Sequence, residues 1–276
     1  RMSRISASAA AVIAMSDGYL ITPASFTDKM NILVYGDPGS GKTYLAGTAQ
    51  DSPFMADVHV LNIDGGMMTL AQRGDIHATD VRSVADLERE LHSLAARDEK
   101  YATTRTVVID NVTELQTLAL EGITTSEYAS RKKKDRTYTI DQVYLEDYGL
   151  AGKQIARVLR GFRDLPVHVI YIAHRKDRMR PGTNVLEESK PDLTEKLSTS
   201  VMGYMDLVWY LYTADERVPE GEGFRTETHR YMLTQPMNNY AAKTRGSAFA
   251  EAIGQVVRDP NLASLMEVYQ SVSGQE

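Results

Sequence analysis

The stretch Gly36-Asp37-Pro38-Gly39-Ser40-Gly41-Lys42-Thr43 matches the pattern G-x-x-x-x-G-K-S/T at every fixed position. A short apolar run at residues 31–35 precedes it and is typical of a buried strand, and residues 44–49 are suited to start a helix. Glycines allow the backbone to fold around a phosphate group, which then meets successive N–H groups. The stretch therefore predicts a phosphate-binding loop (P-loop) and binding of a nucleoside triphosphate.

Two side chains of the loop have predicted roles in binding the nucleotide. Lys42 is expected to reach the β- and γ-phosphates, and the Thr43 hydroxyl is expected to ligate Mg²⁺. ATP and Mg²⁺ are accordingly the predicted cofactors. The residues expected to contact the nucleotide are Gly36, Asp37, Pro38, Gly39, Ser40, Gly41, Lys42, Thr43 and Tyr44.

A second strand carries a carboxylate that fits the same chemistry. Residues 106–110 form a β-branched run, as expected of a parallel strand covered on both faces, and the run ends in Asp110. A strand pattern and a helix pattern separate this run from Lys42. This is the Walker B arrangement, in which an aspartate at the end of a strand helps to hold Mg²⁺. Thr43 and Asp110 are therefore the predicted metal ligands.

Composition limits the kind of protein. The chain has no cysteine, which excludes disulfides and thiolate metal sites and fits a reducing compartment. Its formal net charge is −6, so any contact with nucleic acid must be local. No apolar run approaches the roughly 18 residues of a membrane span. Residues 7–15 faintly resemble a signal peptide, but we favour an N-terminal arm and a cytoplasmic protein, where ATP is available.

The rest of the chain alternates strand and helix patterns. Strands are predicted at 58–63 and 167–172, helices at 84–97, 112–121, 145–162 and 262–268, and a long β-hairpin from 206–212 and 229–234. This order predicts an α/β fold with a doubly wound, mainly parallel sheet and an antiparallel hairpin extension. We assign residues 1–28 to the N-terminal arm and 29–276 to a single domain.

Four segments together resemble the RecA-like ATPase core. They are the P-loop at 36–43, Asn-Ile-Asp-Gly-Gly at 62–66, Val-Val-Ile-Asp at 107–110 and Ile-Tyr-Ile-Ala-His at 170–174. The chain is similar in particular to compact phage-type ATP-binding proteins, some of which are single-strand annealing recombinases. The resemblance covers about residues 30–250, and the P-loop is its only highly specific motif. It implies a Mg²⁺-dependent ATP hydrolase that forms a homo-oligomer on single-stranded DNA, in the host cytoplasm if the protein is phage-encoded.

The resemblance also implies roles for three polar side chains. His174 matches the polar residue that senses the γ-phosphate at the tip of the fourth strand. Lys243 and Arg245 match basic residues that reach the nucleotide of a neighbouring subunit. Because no convincing arginine finger lies near the P-loop, we expect these two cations to act in trans.

Two further segments match the loops that line the DNA channel of RecA-like filaments. They are 122–140, which has little apolar periodicity and reads as a long loop, and 175–200, which is polar. The predicted DNA-contacting residues are Lys132, Lys133, Lys134, Arg175, Lys176 and Arg178, with Tyr128 or Tyr138 as a stacking surface.

The general base is not fixed by the sequence. RecA-like proteins place a glutamate just past the second strand, where this chain has Asp64, and the wider AAA+ class places one after the Walker B aspartate, where it has Asn111. The candidates are Asp64, which we favour, and Glu114. A shorter aspartate holds water less well, so slow hydrolysis is expected.

Two other functions fit the same motifs. One is a P-loop kinase of a small molecule, for which residues 175–182 could serve as an arginine-rich lid. The other is a nucleotide-dependent assembly protein with little turnover. A GTPase is disfavoured because the chain has no N-K-x-D motif to recognise guanine.

Overall fold

The computed structural model of the chain describes residues 29–221 and 223–273. The strands are β1 (Asn31–Gly36), β2 (Val58–Asn62), β3 (His77–Asp80), β4 (Thr106–Asp110), β5 (His168–Met179), β6 (Leu186–Pro191), β7 (Leu207–Glu220), β8 (Gly223–Leu233), β9 (Lys243–Thr244) and β10 (Val256–Arg258). The helices are α1 (Lys42–Gly47), α2 (Val84–Ala96), α3 (Val112–Lys134), α4 (Leu145–Asp164), α5 (Glu195–Tyr204), α6 (Ser247–Ile253) and α7 (Leu262–Ser273). The predicted N-terminal arm lies outside the described residues.

A mostly parallel sheet organises these elements. Its strand order is β10-β8-β7-β1-β5-β4-β2-β3, with β6 paired to β5 and β9 paired to β7. The six strands from β7 to β3 in this order are parallel to their neighbours. Strands β8, β10, β6 and β9 are antiparallel to the strands they pair with. The predicted mixed α/β architecture with a mainly parallel sheet is confirmed.

Both faces of the sheet are covered by helices. Along β1, Leu33 and Tyr35 point into a core shared with α2, α3, α4 and α5. The alternating residues Ile32 and Val34 point into a second core shared with α1, α6 and α7. All six residues of β1 are buried, which explains why its sequence is continuously apolar rather than alternating. The P-loop therefore follows a strand that is buried on both faces.

The prediction of a long loop at 122–140 is wrong. Helix α3 continues through this segment to Lys134, and its last turn carries Arg131 and three lysines. Cations at a helix C-terminus interact favourably with the helix dipole, so the basic run stabilises the helix. Arg131 also forms an ion pair of 2.6 Å with the buried carboxylate of Asp147. The side chain of Tyr138 is fully buried and offers no stacking surface.

The polar segment 175–200 is also ordered rather than a loop. Strand β5 runs on to Met179 and pairs with β6 as an antiparallel hairpin, and α5 follows. The later hairpin of β7 and β8 is confirmed and extends well beyond the predicted strands, to Glu220 and Gly223. Helix α2 begins after Ser83 as an N-cap, since the Ser83 hydroxyl accepts a hydrogen bond from the N–H of Asp86. The edge strand β3, the short strands β9 and β10 and the short helix α6 were also missed.

Among the described residues, the helices are too short or too polar to cross a membrane.

Candidate functional site

A cleft of about 350 Å³ lies at the carboxyl end of the central strands. In the sheet, Gly36 at the end of β1 is level with His174 on β5, and Asp110 at the end of β4 is level with Ile172. Because parallel strands end at the same edge, three segments far apart in sequence meet here. The predicted residues that line the cleft are Pro38, Gly39, Gly41, Lys42, Thr43, Tyr44, Asp64, Asp110 and His174. The remaining predicted loop residues, Gly36, Asp37 and Ser40, belong to the P-loop without lining the cleft.

The P-loop backbone takes conformations that favour glycine. Gly39 and Gly41 have φ angles of 79° and 94°, in the left-handed region where a side chain would strain the chain. Inside the loop, the Lys42 ammonium donates hydrogen bonds to the carbonyls of Gly36 (3.1 Å) and Asp37 (2.8 Å). Burial lowers the pKa of Lys42, while nearby carboxylates, led by Asp110, act against this. Phosphate oxygens entering the loop can take over these donors.

Thr43 and Asp110 form a pair of oxygen ligands. The Thr43 hydroxyl donates a hydrogen bond of 2.6 Å to Oδ2 of Asp110. Burial raises the pKa of Asp110 to about 6; the charge of Asp64 adds to this, while the Thr43 hydrogen bond and Lys42 oppose it. A hydroxyl and a carboxylate are hard oxygen ligands of the kind that Mg²⁺ prefers. The donor set therefore fits Mg²⁺.

Asp64, Asn111 and His174 form a second group in the cleft. The Asn111 amide nitrogen donates to Oδ2 of Asp64 at 2.6 Å and lies 3.3 Å from Nε2 of His174. The backbone N–H of His174 donates to the Thr113 hydroxyl at 3.0 Å, which fixes the strand end against α3. Asp64 and His174 therefore both contact the amide nitrogen of one buried residue.

Glu114, the other candidate base, is placed differently. It lies in the first turn of α3, where its backbone N–H donates to Oδ1 of Asn111 at 2.8 Å. It is not among the described residues that line the cleft. Of the two carboxylates, Asp64 is the one positioned to reach a ligand there.

Three residues of the cleft were missed by the sequence predictions: Thr69, Asn111 as a contacting group, and Arg230. Arg230 is on β8, and its guanidinium lies over the Tyr44 ring, 5.2 Å from the ring centroid. An arginine therefore lies beside the P-loop, where no convincing arginine finger was expected. No local sequence signal marks Arg230, because its position depends on how the β7–β8 hairpin pairs with the sheet.

Lys243 and Arg245 lie away from the cleft. Strand β9 pairs with Leu207 and Val208 at the start of β7, and Leu207 is level with Ile32 at the start of β1. The P-loop follows the opposite end of β1. The Lys243 ammonium donates to the carbonyl of Met202 at 2.8 Å, and Arg245 pairs with Asp206 at 2.9 Å.

The predicted DNA-contacting residues fall into two groups. Some have a partner within the protein, and others are open cations, which are exposed and pair with no carboxylate among the described residues. The Lys132 ammonium donates to the Tyr138 carbonyl at 2.8 Å, and Arg175 pairs with Asp37 of the P-loop at 3.2 Å. Lys176 and Arg178 are exposed but pair with Asp192 at 3.2 Å and Glu188 at 3.6 Å. Lys133 and Lys134 are exposed, as is the neighbouring Arg136, and none of these three pairs with a carboxylate in the described part of the chain.

Comparison with known proteins gives one family. A family profile described as an AAA domain matches residues 28–246, more than half of the chain. No curated protein matches the sequence.

Proposed function

Because the chain belongs to the AAA domain family of P-loop ATPases, we propose that it hydrolyses ATP in a Mg²⁺-dependent reaction in the cleft described above. The observation that carries this proposal is the 2.6 Å contact between the Thr43 hydroxyl and the Asp110 carboxylate, directly beside the P-loop lysine. The proposal is supported because the predicted metal ligands of two distant motifs lie within hydrogen-bond distance of each other. Mg²⁺ held there supplies positive charge to the β- and γ-phosphates.

The residues of the chain act mainly through position and charge. The Lys42 ammonium exchanges its two loop carbonyls for oxygens of the β- and γ-phosphates. A water molecule attacks the γ-phosphorus, the bond from that phosphorus to the bridging β–γ oxygen breaks, and ADP leaves. Asp64 orients this water and takes its proton. Asn111 holds the Asp64 carboxylate in place, and His174 contacts the γ-phosphate.

The test is phosphate release measured with purified protein, ATP and Mg²⁺. We expect slow turnover that disappears when Mg²⁺ is removed by a chelator. Nucleotide binding without phosphate release would contradict hydrolysis and favour an assembly protein. Phosphate transfer to an added small molecule, without release to water, would favour the kinase.

We further propose that single-stranded DNA is the partner and that the protein acts as a homo-oligomer. Two observations support DNA. The open cations Lys133, Lys134 and Arg136 are grouped at the end of α3, whose N-cap is Asn111 of the cleft. Arg175 connects the P-loop residue Asp37 to the basic half of β5. Helix α3 and the Arg175–Asp37 ion pair each connect the nucleotide-binding cleft to a group of cations. The bound nucleotide can therefore influence both groups of cations.

The location of Lys243 and Arg245 limits how they could act on a nucleotide. Because they lie beyond the start of β1, they cannot reach the phosphates bound at its other end in the same chain. A role at the γ-phosphate requires that they act on the nucleotide of another subunit. An arginine supplied in trans contributes about 10³–10⁵ in rate in related hydrolases.

A further inference from the structure

Arg230 packs directly against the backbone of the P-loop. A methyl group added at Gly41 would come within 2.4 Å of the Arg230 Nε and within 2.9 Å of its Cδ. On the other side of Lys42 and Thr43, the guanidinium lies over the ring of Tyr44 at 5.2 Å. The absence of a side chain at Gly41 is what allows the arginine to approach. Arg230 therefore contacts Gly41 and Tyr44, on either side of Lys42 and Thr43 in the sequence, from the side of the hairpin.

The backbone of Arg230 is fixed from both sides. Its N–H donates to Oδ1 of Asp259 at 3.0 Å, and its carbonyl accepts from the Asp259 N–H at 2.7 Å. Within the sheet, Arg230 is level with Thr213 of β7, and the adjacent Tyr231 is level with Arg258 of β10. The Cα atom therefore has a defined position relative to the P-loop. Only the side chain needs to adjust to a ligand.

Within the described part of the chain, the guanidinium of Arg230 forms no ion pair. Three other arginines on nearby strands are paired: Arg225 with Glu227, Arg258 with Glu216 and Arg175 with Asp37. Across residues 29–221 and 223–273, no carboxylate or hydrogen-bond acceptor pairs with the guanidinium of Arg230; its only polar contact is with the Tyr44 ring. A guanidinium carries five donors in a rigid fork that matches phosphate oxygens. Because this unpaired guanidinium lines the proposed phosphate-binding cleft, phosphate is the ligand that it fits.

The contacts of Arg230 also indicate which phosphates it meets. The groups assigned to hydrolysis, Asp64 and His174, are joined through Asn111. Arg230 instead contacts Gly41 and Tyr44. We propose that Arg230 binds the α- and β-phosphates of the nucleotide bound by its own chain, and thus retains both ATP and ADP. This inference rests on the proposed nucleotide site but does not require that ATP be hydrolysed.

The test compares three ligands on the wild type and three variants. Affinities for ATP, ADP and inorganic pyrophosphate are measured by competition against a fluorescent ADP analogue with Mg²⁺ present. For Arg230→Ala we expect all three affinities to fall by a similar factor of about 10 to 100, as for loss of hydrogen bonds to a charged group. Arg230→Lys, which keeps the charge without the fork, should lie between. Arg225→Ala removes a similar exposed arginine from the same strand and should bind all three ligands like the wild type.

Three results would overturn the proposal. Unchanged ADP affinity in Arg230→Ala would show that the arginine does not hold the diphosphate. A loss for ATP alone would assign Arg230 to the γ-phosphate, and a loss for ADP without one for pyrophosphate would assign it to the base or ribose. Thermal unfolding of each variant confirms that the exposed substitution leaves the fold intact. A wild type that binds ADP but releases no phosphate would refute ATP hydrolysis while leaving the Arg230 test valid.

Discussion

The side-chain amide of Asn111 donates a 2.6 Å hydrogen bond to the carboxylate of Asp64, across 47 positions of sequence. The same amide caps helix α3 through its oxygen, which accepts the N–H of Glu114 at 2.8 Å. Asn111 is almost fully buried, with 1% of its surface exposed, so its orientation is fixed by these partners. One residue thus sets the position of the proposed base relative to the helix that follows the Walker B strand.

The first prediction concerns this contact. Asn111→Asp keeps an oxygen to cap α3 but places a carboxylate against Asp64, and Asn111→Ser keeps a capping oxygen that cannot reach Asp64. Both variants should lose about 100-fold in kcat through misplacement of the base, with little change in the KM for ATP. Steady-state phosphate release measures both parameters. The control is Ser83→Ala, which removes the N-cap of a different helix, α2. Full turnover in Asn111→Asp would refute the role of Asn111 in positioning Asp64.

Substitutions of Lys42 and Asp110 should impair different steps, nucleotide binding and turnover. Lys42→Ala removes the cation that faces the β- and γ-phosphates and should abolish measurable ATP binding. Asp110→Asn removes the charge that acts through Mg²⁺, so nucleotide should still bind while turnover falls by at least about 100-fold. Calorimetric titration and phosphate release separate the two effects. Lys153→Ala, an exposed lysine on α4, is the matched control, and undiminished turnover in Lys42→Ala would exclude this loop as the site.

Complementation in mixtures tests whether the distant cations act in trans. Lys42→Ala and Arg245→Ala should each be inactive alone. In a mixture, some interfaces combine an intact P-loop with an intact Arg245, so part of the ATPase activity should return. A mixture that stays inactive, together with a wild type that sediments as a monomer with ATP, would contradict a shared site.

DNA binding should depend on the three open cations of α3 and the turn that follows it. Replacing Lys133, Lys134 and Arg136 with alanine should weaken binding to a labelled single-stranded oligonucleotide and make it less salt-dependent. The log–log slope should flatten by about 2, since each phosphate neutralised on single strands contributes about −0.7. Fluorescence anisotropy with ATP and Mg²⁺ measures this slope.

The control for the DNA experiment is a triple variant of exposed cations on other elements, Arg82, Lys153 and Lys196, which should leave the slope unchanged. Basal phosphate release should be the same in both triple variants and in the wild type. If the wild-type protein binds no oligonucleotide at low salt while its ATPase is intact, single-stranded DNA is not the partner.

Stability should depend on pH through His59. This buried side chain on β2 bonds through Nε2 to Thr79 at 2.8 Å, and burial, with added repulsion from Lys100 and His77, lowers its pKa from 6.5 to about 4. The folded protein therefore favours the neutral ring, and the unfolded chain takes up the proton first. The stabilisation is complete above pH 6.5 and is lost as the pH falls to about 4, by about 3 kcal/mol.

Urea unfolding at a series of pH values checks this. The free energy of unfolding of His59→Gln should fall less steeply between pH 6.5 and pH 4 than that of the wild type, whatever the difference at neutral pH. The variant His92→Gln, which replaces an exposed histidine on α2, provides the comparison. Parallel curves for the wild type and His59→Gln would show that His59 does not couple folding to protons.

The sequence by itself determined the P-loop, the Walker B aspartate and the mainly parallel α/β sheet. Each is encoded locally: glycines at fixed spacing allow the backbone at Gly39 and Gly41 to adopt positive φ angles, and continuous apolar runs mark strands buried on both faces. Their order along the chain then fixes which strand ends can meet. For the same reason Lys42, Thr43 and Asp110 were found at the cleft where they were expected.

Only the tertiary structure decided the rest of the site. Arg230 reaches Gly41 because the β7–β8 hairpin pairs beside β1, and Asn111 reaches Asp64 because β4 lies next to β2. Such contacts depend on strand register and on the direction of side chains, which no short stretch of sequence contains. The basic run after residue 130 was misjudged because the buried ion pair of Arg131 with Asp147 and the packing of Tyr138 hold it in a helical and compact form. These partners are supplied by a different segment of the chain, so local polarity alone could not reveal the helix.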